Sequence, residues 1–387
     1  MASLRVGIVG LPDQISILVP ILQSLNVRVT AIWCKGNDTR RKLSDKLNLP
    51  FLPGGFQDLL VCSEVDLVYV ATEPSLHAEL AVKALTSGKH CICQKPPSTC
   101  RKEAEKMVSL SRYYPLVCLL ESHLRFVPAI KKMKELVSTG YVGKPLIIEA
   151  RVVMGSLIQS EPFSWMCDPS MGGGVLNLVG SPIIDLVLYV TGEKAQRVHG
   201  HTKTFTPHTD SIHGYRTVTS DDFCVFQMEC TNGLSVTVTL HTHLVGQYKF
   251  EFSVTGTKDH LSVKGLNLYG NNDTILKQDD TEFRFSSRDL STKFPAEFYL
   301  PFVLGCKELF SSLSVESTSS QLLTPSATFE DGLYNRTVLD SIHLSAGTGQ
   351  WVDVPEEEGK EAELNPFWTK ISTRGETDKP SPKLMRP

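Results

Sequence analysis

A lysine closes an apolar, strand-like run in "HCICQKPPSTC" (residues 90–100), where Lys95 is followed by Pro96 and Pro97. An ammonium at the end of a buried strand loses solvation, which draws its pKa down towards values useful for proton transfer. The same charge attracts a developing alkoxide, and the two prolines stiffen the exit of the chain. Downstream, the glycine triplet in "SMGGGVLNLVGSPIIDLVLYVTG" precedes an apolar helix that carries one carboxylate, Asp185. Nearby Asn177 offers a hydrogen-bonding amide. Glu121, His123 and Arg125 follow a strand, where open α/β sheets bind ligands, and Trp165 stands before the triplet as a candidate wall.

These residues need a frame. The first ~120 residues alternate short β-branched runs with amphipathic stretches, as in a doubly wound parallel sheet. "RVGIVG", "VRVTAIWC", "VDLVYVAT", "KHCIC" and "LVCLLES" read as strands, and "VDLVYVAT" as one buried on both faces. From "GKPLIIEARVVMG" onward the runs lengthen and alternate. Asn232-Gly233 lies between two of them as a hairpin turn, and Gly256 marks a second. The fold class is therefore α/β: a Rossmann-type domain over 1–122, then a C-terminal α+β domain on an open, mostly antiparallel sheet over 123–355. A late helix is expected from Thr328 to Ser345. The charged, proline-rich stretch 356–387 reads as a disordered tail.

Composition narrows the function classes. Apolar residues make up 41% and charged residues 21%, which suits a globular protein with a large core. A net charge of −3 gives no electrostatic reason to expect nucleic acid or an anionic membrane as partner. No leader is evident, no apolar run looks long enough to span a bilayer, and a cytoplasmic location is expected. The ten cysteines are scattered without paired CxxC spacing, so they read as reduced thiols and no metal is expected. The pairs His199/His201 and His241/His243 share strand faces, but no third ligand accompanies them.

The run "VATEPSLHAELAVKALTSGKHCICQKP" and the later glycine triplet resemble the Gfo/Idh/MocA oxidoreductases, whose lysine motif usually reads E-K-P and here reads Gln94-Lys95-Pro96. "YYPLVCLLESHLRFVPAIKKMKELVSTGYVGKPL", "TSDDFCVFQM" and "ATFEDGLYNRTVLDSI" resemble in particular the animal proteins named for a glucose-fructose oxidoreductase domain; the likeness covers roughly 4–354. It implies that Lys95 sits beside a nicotinamide ring and moves a substrate hydroxyl proton. It also implies a cofactor site built from Gly7, Gly10, Leu11, Lys35, Thr72, His77, Gln94, Lys95 and Pro96. A cis bond into Pro96 is expected from the same resemblance.

Three departures stand out. The nucleotide loop "GLPDQI" keeps one glycine of G-x-G-x-x-G, with Pro12, Asp13 and Ile15 in unhelpful positions. At the end of the second strand Cys34 replaces the usual acid, with Lys35, Arg40 and Arg41 following. That either favours NADP over NAD or is a solvated basic helix start. Pro182 stands where the family commonly places a proton-transferring histidine, and the motif's last aspartate is kept as Asp185, which the resemblance makes either a second catalytic group reaching the cleft or a structural partner for Lys95. Two readings follow: an NAD(P)-dependent oxidoreductase acting on a small hydroxyl compound such as a sugar or polyol, or a catalytically silent module, with a nucleotide or none bound. A homodimer is expected through the open sheet face, assigned to Val236, Val238 and Leu240, because relatives pair there.

Overall fold

The computed structural model describes residues 4–158, 162–209, 216–271, 273–277, 296–314 and 326–356. Five parallel strands, β1 (Arg5–Gly10), β2 (Arg28–Trp33), β3 (Leu67–Ala71), β4 (His90–Cys93) and β5 (Cys118–Leu120), form the parallel part of the first sheet in the order 5-4-3-1-2. Helices α1 (Pro12–Ser24), α2 (Asn37–Leu47), α3 (Phe56–Val61), α4 (Pro74–Thr86) and α5 (Arg101–Tyr113) connect and flank them. β3 is buried at every position, as its unbroken apolar run requires when both faces are covered. α1 and α4 each start with proline in the first turn, where a missing N–H costs nothing.

The chain then runs through a 3-10 turn (His123–Phe126), α6 (Pro128–Ser138) and the long strand β6 (Pro145–Met154). After the glycine triplet, a π-helical turn (Leu176–Gly180) leads into α7 (Ser181–Thr191). The strands β7 (Ala195–Lys203), β8 (Phe223–Cys230), β9 (Ser235–His241), β10 (Tyr248–Gly256), β11 (His260–Lys264), β12 (Asn267–Gly270) and β13 (Asp273–Leu276) follow. Helix α8 (Ala296–Ser314), the two-residue strand β14 (Ala327–Thr328), α9 (Phe329–Thr348) and β15 (Val352–Asp353) complete the unit. Among the described residues the second sheet has nine strands in the order 13-12-11-10-6-9-8-7-15, antiparallel except for the β6–β9 pair. The expected hairpin at Asn232-Gly233 joins β8 to β9, and that near Gly256 joins β10 to β11.

α9 begins where the sequence indicates, with Thr328 and Asp331 exchanging a reciprocal capping box. Its early residues return to the first sheet: β14 pairs antiparallel with β5, and Phe329 is buried with Val70, Cys93 and Leu120. α8 does the same on the opposite face, where Val303, Cys306, Leu309 and Phe310 pack among Val6, Ile8, Tyr69 and Ile92. The unit Met1–Pro355 is compact and contains both sheets. From residue 357 the expected tail lies outside the described residues.

Two expectations are corrected. Val236, Val238 and Leu240 are fully buried in the core cluster that also holds apolar residues of α6, α7 and α9, and the other face, among the described residues, carries Thr237, Thr239 and His241, with Glu149, Arg151 and Gln227 on its neighbours. Alternation separates the two faces, and burial of apolar area sends the set Val236, Val238 and Leu240 to the covered side. Second, the run Pro169–Thr191 is long and apolar enough to cross a bilayer, contrary to the sequence reading; 72% of its apolar window is buried inside the protein, as in a core helix.

Candidate functional site

Lys95 leaves the end of β4 and buries its ammonium against α7. Its Nζ lies 2.8 Å from Asp185 Oδ2 and 2.9 Å from Ser122 Oγ, with side-chain exposures of 7% for Lys95 and 1% for Asp185. The Lys95–Pro96 peptide is cis. Burial lowers the Lys95 pKa to about 8, opposed by the attraction of Asp185 and aided by the nearby Arg125 charge.

Asp185 is saturated. Besides Lys95, its Oδ2 accepts from Ser122 Oγ and from Arg125 Nε at 2.9 Å, and its Oδ1 accepts from Arg125 Nη2 at 2.6 Å. Burial pushes its carboxyl up, but Lys95 and Arg125 outweigh that and hold it well below the usual carboxylate range. A carboxylate so engaged does not accept a proton near neutral pH; it fixes and compensates Lys95. Arg125 is itself shared, its Nη1 lying 3.3 Å from Asp331 Oδ2 at the start of α9. Ser122 and Asp331 are the members of this cluster that the sequence reading missed. The T-x-x-D pattern at Thr328–Asp331 was visible only as a helix start.

The glycine triplet places α7 behind Lys95. Gly174 has φ +103°, and a Cβ there would lie 2.3 Å from Asp221 Oδ1. Asp221 sits on the helix head, its Oδ2 accepting from Leu176 N at 2.7 Å. Burial, with the neighbouring Asp222, raises its pKa to about 6 against the backbone donors. Asn177 is enclosed: its Nδ2 donates to Gly173 O at 2.8 Å, and its Oδ1 accepts from Arg336 Nη1 at 3.0 Å and lies 3.3 Å from His343 Nε2. Trp165 lies in a 3-10 turn (Trp165–Cys167) whose backbone abuts Gly173.

Glu121 and His123 form a second polar group at the end of β5. Glu121 accepts from the buried Tyr69 Oη at 2.5 Å, and His123 Nδ1 lies 3.2 Å from its other oxygen. Gln94 follows β4 directly, its N–H donating to Val70 O at 3.0 Å, and its side chain also contacts Tyr69. His77 is buried between two carbonyls, Nδ1 at 2.8 Å from Pro96 O and Nε2 at 2.9 Å from Thr72 O. Burial favours its neutral form more than the two carbonyls favour the cation. It clamps the ends of β3 and β4 rather than presenting a free donor.

At the nucleotide end, Gly10 is required by close approach, since a Cβ would lie 2.7 Å from Ala71 O. Leu11 N–H donates to that same carbonyl at 3.0 Å, and Pro12 has no N–H. The head of α1 therefore offers a dinucleotide the N–H groups of Asp13 and Gln14, beside the Asp13 carboxylate. Such a head fits a pyrophosphate, with fewer donors than the usual glycine loop. Gly7 lies mid-strand, where a Cβ would lie 3.0 Å from Val65 and 3.1 Å from Leu59, so it serves packing and not the loop. Cys34 is fully buried. Arg40 is buried as well, donating to Asn37 Oδ1 at 2.5 Å and Pro53 O at 3.1 Å, between the rings of Trp33 and Phe51. Lys35 and Arg41 remain exposed, Arg41 lying over Phe51.

The histidine pairs on the second sheet have other partners: His199 packs on Trp351, His201 on Phe223, and His243 Nε2 lies 3.3 Å from Asp222 Oδ1.

Comparisons with known proteins agree with this frame. A family described as "Oxidoreductase family, NAD-binding Rossmann fold" matches residues 4–122, and a "GFO/IDH/MocA C-terminal domain" matches 130–262. The chain is 37% identical over 367 residues to glucose-fructose oxidoreductase domain-containing protein 2 of Homo sapiens, covering 91% of this chain and 94% of that one. It is 35% identical over 363 residues to protein 1 of the same name from Mus musculus, covering 90% and 92%. Among solved structures, an oxidoreductase domain protein from Kribbella flavida superposes with TM-score 0.76 at 21% identity, over 92% of this chain and all of that one. A levoglucosan dehydrogenase in complex with NADH and L-sorbose superposes with TM-score 0.75 at 19% identity, with the same coverage.

Proposed function

The chain belongs to the Gfo/Idh/MocA oxidoreductase family, and from that premise we propose that it moves a hydride between a nicotinamide dinucleotide and the carbinol carbon of a sugar, polyol or related hydroxyl compound. The observation that carries this reading is Lys95, buried at a strand end with its pKa lowered to about 8. In the oxidising direction the neutral amine takes the hydroxyl proton as the C–H hydride departs; in the reducing direction the ammonium returns it. Asp185, Ser122 and Arg125 hold the amine in place and exclude water from it. A bound dinucleotide supplies the hydride acceptor or donor, held by the α1 head, Thr72 and the Gln94–Pro96 turn, with Lys35 and Arg41 at the adenosine end. Those two exposed cations and the missing acid at Cys34 support NADP over NAD, without the buried Arg40.

A second reading, a silent nucleotide-binding module, is favoured by one observation: Asp185 is fully occupied and Pro182 offers no imidazole, so Lys95 has no second proton carrier from α7. Mass spectrometry of any co-purifying nucleotide, followed by turnover assays on a panel of sugars and polyols with wild type and Lys95→Ala, separates the two. Turnover abolished at Lys95 supports the enzyme; bound nucleotide without turnover in either protein supports the module. The polar open face of the nine-stranded sheet is assigned to a second copy, and a monomeric mass at micromolar concentration would refute that. Ten unpaired thiols support a reducing, cytoplasmic setting.

A further inference from the structure

Helix α9 presents Gly332, Arg336 and Asp340 at i, i+4 and i+8, one stripe on one face. Each member touches a segment leading to the Lys95 cluster. A Cβ on Gly332 would lie 3.2 Å from the Pro97 ring, two residues past Lys95. Asp340 Oδ2 accepts from Arg101 N at 3.1 Å, at the head of α5, where the loop from Lys95 ends. Arg336, 2% exposed, joins the two sides: Nη2 lies 2.6 Å from Asp340 Oδ1, and Nη1 donates to Asn177 Oδ1 at 3.0 Å. Asn177 belongs to the π-helical turn that runs directly into α7 and Asp185.

We infer that Arg336 is a positioning residue that ties the segment carrying Lys95 to the segment carrying Asp185, so that a helix remote in sequence sets the register between the amine and its counter-ion. The inference rests on the reading of Lys95 as the working group. Three features support it. The planar fork of a guanidinium can hold an amide on one nitrogen and a carboxylate on the other, which a lysine cannot do. Asn177 is held at both ends, its amide nitrogen donating to Gly173 O and its oxygen lying against both Arg336 and His343. His343 is held neutral, its pKa lowered to about 4 by burial and by the Arg336 charge, so the cation at this joint is Arg336. α9 also contributes Asp331 to Arg125, the other donor to Asp185.

The test follows the ionisation of Lys95 directly, by ¹³Cε NMR of lysine-labelled full-length protein, with the signal assigned by its loss in Lys95→Ala. Wild type should titrate near 8. Arg336→Lys and Arg336→Met should let the two segments part and water reach the amine. Because burial is the largest influence on Lys95, its midpoint should then rise by about one pH unit. Asp340→Asn, at a half-exposed position, keeps an acceptor for Arg101 N–H but removes the charge facing Arg336; it should give a smaller rise in the same direction. If the Arg336 variants fail to fold, Asp340→Asn alone decides. A folded variant that melts earlier with the Lys95 midpoint unmoved makes Arg336 merely structural and overturns the inference. Absence of turnover in wild type would sink the proposed enzyme but leave this titration readable. With turnover present, Arg336→Lys should lower kcat about tenfold and leave KM near the wild-type value.

Discussion

Lys95 Nζ and Asp185 Oδ2 stand 2.8 Å apart, each almost withdrawn from solvent, with Arg125 bonded to both oxygens of the same carboxylate. Two cations share one anion. The arrangement keeps the amine only weakly basic while denying the carboxylate any role in moving protons, and the predictions turn on this division.

The pH dependence should mirror with direction. Oxidation of a hydroxyl needs neutral Lys95, so its rate should climb as pH rises through about 8. Carbonyl reduction needs the ammonium and should fall over the same interval. Initial rates in both directions between pH 6 and 10 check this, and parallel profiles would contradict the assignment. Lys95→Ala should cost ~10²–10⁴ in turnover, with Lys95→Arg no better, because guanidinium does not release its proton.

Asp185→Asn should destabilise the fold by about 3–5 kcal/mol, since it strands two buried cations. It should also lower the Lys95 midpoint below about 8, because the attraction of the carboxylate is what opposes burial. Chemical denaturation and Lys95 NMR measure the two effects.

Asp221 makes stability depend on pH in the direction unusual for an aspartate. Its folded pKa, about 6, lies above the unfolded value of 3.8, so the folded state binds the proton more tightly. Its contribution is fully present below about 4 and is lost as pH rises through 6, by up to about 3 kcal/mol. Asp221→Asn keeps an acceptor for Leu176 N–H and should flatten that part of the profile. Denaturant midpoints from pH 4 to 7 in both proteins decide it.

Pro12→Gly should tighten dinucleotide binding several-fold by returning an N–H to the head of α1, where Leu11 N–H is already committed to Ala71 O. Titration calorimetry with NAD and NADP reads the change. In the same assay Lys35→Ala should weaken NADP more than NAD, whereas Arg40→Ala should act chiefly on stability.

Much of this was legible in the residues. The nearly all-apolar "VDLVYVAT" marked a central strand, Asn232-Gly233 a hairpin, and Thr328 the head of α9. Lys95 was placed by its prolines and its neighbours. What could not be read were contacts that join distant segments: Asp331 to Arg125, Arg336 to Asn177, and Arg40 folded inward under Trp33. Arginine shows this most plainly, since its long stem reaches either water or core and local pattern does not say which. The sheet face failed for a different reason. Period-two alternation separates Val236, Val238 and Leu240 from Thr237, Thr239 and His241, and burial of apolar area assigns the first set to the covered face, the opposite of the expectation.

The return of the late chain to the first sheet has a consequence for synthesis. β5 waits for β14, and the face formed by Ile8, Tyr69 and Ile92 waits for α8, both made more than 170 residues later. A ribosome-bound chain that has just completed β5 therefore exposes an open strand edge and an uncovered apolar surface until nearly the whole unit has emerged. Such a nascent chain is a natural client for chaperones, and a fragment ending at residue 122 should be recovered as aggregate rather than as a nucleotide-binding module.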